Sequence, residues 1–166
     1  MILPGSRTAG LFATAAAAAA LAVAIAAERL GGLVPCPLCL MERWPYRVVI
    51  VLGLFAAAVP RRAGRWVLGL ALVSTVAAAA LAVTHVGVEQ HAWPSPLPEC
   101  AAPNLAGLGI AERLAAMPLR PSKPCEEATY LVPALPVSMA AMNLIYALGF
   151  SAMLAIFLWH TREDSP

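Results

Sequence analysis

The residues best able to do chemistry are four cysteines in two pairs, Cys36 with Cys39 and Cys100 with Cys125. Cys36-Pro37-Leu38-Cys39 puts two thiols at Cys-x-x-Cys spacing, where a disulfide closes a small ring. Strained disulfides have higher potentials and are the labile, catalytic kind. A thiolate near a helix N-terminus is stabilised by the helix dipole, and a neighbouring cation adds to this. Arg43 lies one helical turn beyond Cys39. Its expected role is to stabilise a thiolate at Cys39 or to hydrogen-bond a carbonyl oxygen of a bound ligand. Glu42 is expected to be its ion-pair partner or an interface residue. Two other readings of the pair stay open: half of a zinc site, and a structural disulfide. With no second close Cys or His pair nearby, no metal site is expected.

A bridge between Cys100 and Cys125 would close a loop of about 26 residues, worth roughly 3.5 kcal/mol in the entropy model. That fits a structural staple. The Pro-rich surroundings (Pro94, Pro96, Pro98, Pro103, Pro118, Pro121, Pro124 and Pro133) fit an exchangeable bond whose sulfurs an incoming thiolate can reach. His85 and His91 flank the end of an apolar segment. An ionisable group inside such a segment is costly and often functional. His85 is therefore either a hydrogen-bond donor to a quinone head group or a satisfied interfacial histidine.

The elements that must position these residues follow from composition. Of 166 residues, 61% are hydrophobic and 12% charged, whereas a soluble domain carries about 25% charged residues. The expectation is an all-α polytopic membrane protein forming one domain, a four-helix bundle. Its spans are expected at about 11–27, 44–59, 66–88 and 136–159, each near the length a bilayer requires, the second being short. Trp44, Trp66 and Trp159 sit at the ends of these spans, as interfacial anchors do. Loops at about 28–45 and 89–135 lie on one side, and a turn at 60–65 on the other. The turn carries Arg61, Arg62 and Arg65, with Arg7 and Arg162 on the same side. The two loops hold Glu28, Glu42, Glu89, Glu99, Glu112, Glu126 and Glu127. By the positive-inside rule both termini are cytoplasmic and all four cysteines periplasmic, in a compartment where disulfides persist. The net charge of +2 and the lack of a basic run give no sign of nucleic-acid binding.

Ala24-Ile25-Ala26 resembles a signal-peptidase site, and cleavage there would leave three spans. Against it stand a weakly charged N-terminal region and a new terminus only a short way before Cys36. In the second loop Leu105, Leu108, Leu114 and Met117 recur at near-helical spacing. They are expected to form a short helix, either on the membrane surface or packed on the bundle.

Cys36-Pro37-Leu38-Cys39-Leu40-Met41-Glu42-Arg43 resembles the Cys-x-x-Cys-x-x-Glu-Arg motif of the bacterial disulfide-bond formation protein B (DsbB) family. Trp93-Pro94-Ser95-Pro96, then Cys100, Cys125 and the last apolar span, resemble the second periplasmic loop of that family. The stretch from Glu126 to Tyr130 lacks the tryptophan of some members. The resemblance runs over essentially the whole chain. It implies an inner-membrane thiol oxidase that reoxidises a soluble DsbA-like thiol oxidase and delivers electrons to the quinone pool, as ubiquinone or menaquinone. It implies Cys36–Cys39 and Cys100–Cys125 disulfides. Cys39 would be the thiolate that meets the quinone and Arg43 the residue that positions it. Cys100 would be the sulfur attacked by the soluble partner, with Cys125 its mate. Three alternatives remain. One is a related oxidase serving a different thiol partner, another a structural or assembly membrane protein with two inert disulfides. The third is a vitamin K epoxide reductase-like protein, in which the Cys-x-x-Cys would belong on a late helix.

Overall fold

The computed structural model describes residues 5–100, 107, 109–115, 123–132 and 134–163. Among these there is no strand. Six helices occur in order: α1 (Ser6–Arg29), α2 (Pro37–Met41), α3 (Arg43–Ala58), α4 (Arg61–Glu89), α5 (Ile110–Ala115) and α6 (Met139–Glu163). A 3-10 turn spans Pro98–Cys100.

α1, α4 and α6 are long and apolar enough to cross a membrane. α3, with 16 residues, is about 24 Å long, less than the ~30 Å hydrocarbon core. Glu42 keeps right-handed helical dihedrals between α2 and α3, so the two run on with a small break. The expected turn at 60–65 is mostly helix: Pro60 caps α4, and its missing N–H and fixed φ suit that position. At the other boundary α6 starts at Met139, later than expected, because the Ser138 hydroxyl accepts the Ala141 N–H.

The helices are inverted relative to a soluble bundle. Their outer faces carry exposed Leu11, Phe12, Val51, Phe55, Leu70, Val73, Ile145 and Ile156, and the expected anchors Trp44, Trp66 and Trp159. The centre holds small residues, among them Ala13, Ala17, Ala71, Ala78 and Ala147, with Tyr46, Val49, Phe150 and Leu154. Where lipid is as apolar as the core, close packing of small residues and interhelical hydrogen bonds hold helices together. A Cβ at Gly53 would meet the Gly10 carbonyl at 2.7 Å, so only glycine permits the α1–α3 approach. The Ser151 hydroxyl donates to Thr75 Oγ1 (2.9 Å), joining α6 to α4.

α1 packs on α3, α3 on α4 and α4 on α6, but α1 and α6 scarcely touch. The ring of four helices is thus open along one edge. Tyr146 of α6 bridges the edge by donating its hydroxyl to the Ala16 carbonyl (2.9 Å). The second loop folds over the cysteine end of α4. Trp93 donates its indole N–H to the Thr84 carbonyl (3.1 Å), and its ring lies so close to Gly87 that a Cβ there would overlap it.

The expected helix in that loop is α5. Its described side chains are exposed, including Ile110 and Leu114. Leu105, Leu108 and Met117 of that expectation lie outside the described residues.

Candidate functional site

α2 begins because Pro37 occupies its first turn and Cys36 caps it. Cys36 Sγ accepts the Cys39 backbone N–H at 3.2 Å. Cap and helix wind together and bring the two sulfurs to 2.8 Å. The cysteines are free thiols here rather than the expected disulfide. Since a disulfide bond is about 2.05 Å long, a shift of less than about 1 Å would close it.

The charge preference of the pair also differs from expectation. Cys36, not Cys39, holds the helix cap. The Cys36 thiol is lowered below its ordinary value, first by the hydrogen bond from the Cys39 thiol and also by the Cys39 backbone N–H, against the opposing effect of burial. The Cys39 thiol is raised, first because it donates that hydrogen bond and then by burial. Nor is Arg43 bound to Cys39: its Nη1 donates to Glu28 Oε2 at 2.7 Å, tying the start of α3 to the end of α1.

Glu42 is not the partner of Arg43. It is buried, and accepts from His85 Nδ1 (2.9 Å) and from Asn143 Nδ2 (3.0 Å). Asn143 Oδ1 in turn accepts the Tyr46 hydroxyl (2.6 Å). An ionised carboxylate can only accept, so the His85 ring carries its proton on Nδ1. Its Nε2 faces Cys36 Sγ at 3.4 Å. The chain Cys36–His85–Glu42–Asn143–Tyr46 joins α2, α4, the α2–α3 junction, α6 and α3. His91, the other histidine considered, lies in the turn after α4, with positive φ and Nδ1 at 3.4 Å from the Val88 carbonyl.

A cavity of about 280 Å³ opens along the α1–α6 edge, close to the lower size of small-molecule pockets, about 300 Å³. Its wall is mostly apolar side chains of α1 and α6, and its polar lining is Cys39, Glu42, Arg43, Tyr46, Asn143 and Tyr146. His85 is not on this wall. Its two ring nitrogens face Cys36 and Glu42, so the expected direct contact of His85 with a cofactor gives way to a position behind the cysteine pair. Arg43 is on the wall, and its Nε is buried with no acceptor among the described residues. A buried donor without a partner is costly. A mostly apolar slot with a buried guanidinium N–H that has no acceptor among the described residues, and a half-buried cysteine on its wall, suits a small apolar ligand that carries a hydrogen-bond acceptor.

Cys100 and Cys125 form a disulfide with S–S 2.04 Å. Both are buried in one cluster with Cys36, Leu38 and Val88, and Cys39 and Leu97 pack against it. The two cysteine pairs therefore adjoin. Both residues are buried, in contrast to the exposed setting that an exchangeable bond would suggest.

The profile of the family described as Disulfide bond formation protein DsbB matches residues 6–158. The Disulfide bond formation protein B of Methylococcus capsulatus is 32% identical over 170 residues, spanning 98% of this chain and 100% of that relative. The Disulfide bond formation protein B of Azoarcus sp. is 30% identical over 142 residues, spanning 80% of this chain and 79% of that relative. No solved structure matches the chain.

Proposed function

The chain belongs to the DsbB family of disulfide bond formation proteins, membrane proteins with a thiol oxidoreductase role, and on that premise we propose that it passes electrons from a DsbA-like periplasmic dithiol through its two cysteine pairs to a quinone. The observation that carries this reading is the placement of Cys39. It packs against the cluster that buries the Cys100–Cys125 disulfide, and it lines the cavity at the α1–α6 edge.

The relay follows from that placement. A thiolate of the partner attacks Cys100 Sγ, and Cys125 leaves as a thiolate. The partner's second thiolate resolves the mixed disulfide, so the partner leaves oxidised and the Cys100–Cys125 pair holds two electrons. A thiolate of that pair attacks Cys36 Sγ, the sulfur buried beside it, and Cys39 leaves as a thiolate at the cavity wall. Resolution reforms Cys100–Cys125 and leaves Cys36 and Cys39 reduced. His85 accepts or returns the Cys36 proton through Nε2, while Glu42 holds the ring and stabilises its charged form. Arg43 supplies the donor for a carbonyl oxygen. A bound quinone supplies the acceptor for two electrons and two protons; with about 30 mV worth 1.4 kcal/mol for such a couple, a modest potential gap makes transfer effectively one-way. Ubiquinone and menaquinone both satisfy this chemistry.

In this reading the protein sits in the bacterial inner membrane with both termini cytoplasmic and the cysteine end periplasmic. The test is steady-state quinone reduction by the purified protein with a reduced DsbA-like partner. Arg43→Ala should raise the quinone KM about ten-fold or more, as expected for a hydrogen bond from a charged group worth about 1.5–3 kcal/mol. An unchanged KM removes Arg43 from the site.

A further inference from the structure

The geometry points to a second use of the reduced cysteine pair: with His85 it forms a site for a zinc-class divalent cation, open only in the dithiol state. The Sγ atoms of Cys36 and Cys39 and a ring nitrogen of His85 all lie within 4.8 Å of one another. In a tetrahedral site with Zn–S of about 2.3 Å and Zn–N of about 2.0 Å, sulfur and nitrogen ligands stand roughly 3.5 Å apart and two sulfurs roughly 3.8 Å. Cys36 Sγ and His85 Nε2 are already at 3.4 Å. The two sulfurs, at 2.8 Å, need to part by about 1 Å.

The surroundings fit as well. Metal-ligating histidines characteristically donate their other ring N–H to a carboxylate, which fixes the tautomer and aims the free nitrogen. His85 does so: Nδ1 donates to Glu42 Oε1 at 2.9 Å, and Asn143 holds the other carboxylate oxygen at 3.0 Å. Nε2 is therefore the unprotonated nitrogen, aimed at the cysteines. Two thiolates and a neutral imidazole balance the charge of a dication, so the metal adds no net charge to its ligand set. Of the three ligands only Cys39 lines the cavity, so the fourth coordination position belongs on that side. The sequence spacing hid this set, because His85 stands 49 residues beyond Cys36.

Binding is a ligand exchange without redox change. The cation forms two metal–sulfur bonds and one metal–nitrogen bond, and the two thiol protons go to solvent. A disulfide has no thiolate to offer, so oxidation of the pair abolishes the site. A bound cation in turn ties up both sulfurs and holds the electrons in place.

The experiment titrates purified, quinone-free protein with Cd2+ alone, following the sulfur-to-cadmium absorption in the ultraviolet, and repeats the titration with Zn2+ against a chromophoric chelator. A variant with Cys100→Ser and Cys125→Ser leaves only the inner pair as thiols. Reduced, it should bind one ion per chain; after oxidation of Cys36 and Cys39 it should bind none. His85→Ala should weaken binding at least ten-fold, and His85→Cys, which restores a third ligand, should recover it. Equal binding by the oxidised form, or no weakening in His85→Ala, overturns the proposal. Neither thiol partner nor quinone enters the titration. Loss of quinone reduction with metal binding intact would thus count against the relay, and the converse against the metal site alone.

Discussion

Cys36 and Cys39 share one helical turn but not one environment. Cys36 is fully buried, caps α2 and faces His85; Cys39 is half-buried and faces the cavity. In the proposed relay this difference would assign Cys36 to exchange with the second pair and Cys39 to the acceptor. It also predicts how His85 acts. If His85 moves the Cys36 proton, His85→Gln should lower kcat by about 10²-fold, the lower range for a positioned acid–base group, and leave the quinone KM unchanged. A raised KM with kcat intact would put His85 in contact with the quinone after all. The motif from Cys36 to Arg43 was legible in the sequence because its residues are neighbours in the chain. The carboxylate network was not. Glu42 reaches His85 across 43 residues and Asn143 across 101, and adjacency in sequence suggested Arg43 as its partner instead. The true partner, Glu28, lies 15 residues before Arg43 on another helix.

At the scale of elements, the second loop is held to the cysteine end by particular contacts. Trp93 lies against Gly87, Ser138 donates to Glu89 Oε2 at 2.5 Å, and Met139 N–H donates to the Thr129 carbonyl at 2.7 Å. Gly87→Leu would put a side chain where the indole sits. The expected result is a Trp93, already 44% exposed, turned further into water and read as a red-shifted fluorescence in a variant with the other tryptophans replaced. Partner-driven turnover should fall several-fold, while turnover with a small dithiol, which needs no docked loop, persists. Unchanged fluorescence would show that the loop is anchored elsewhere. The long helices themselves were legible from apolar length. Their boundaries shifted because caps such as Pro60 and Ser138 decide where backbone N–H groups first find partners, and hydropathy does not report this. The open α1–α6 edge was not legible, since a helix apolar on all sides gives no sign of which face lacks a neighbour.

For the whole molecule, one end gathers four cysteines, a buried carboxylate and histidine, and a mostly apolar cavity between α1 and α6; the other carries Arg61, Arg62 and Arg65. Such polarity suits a device that takes electrons at one membrane face and releases them into the bilayer. In intact spheroplasts, a membrane-impermeant maleimide added after reduction and mild unfolding should label the cysteines. Labelling that requires membrane rupture would reverse the orientation. The central claim is that this single chain carries electrons from its thiols to a quinone by way of Cys39. It is tested most directly by mixing fully reduced protein anaerobically with excess quinone and measuring quinol and remaining thiols. The account predicts two quinols per chain, as the four cysteines become two disulfides, and none from Cys39→Ser. Quinol formation by Cys39→Ser at the wild-type rate would contradict it.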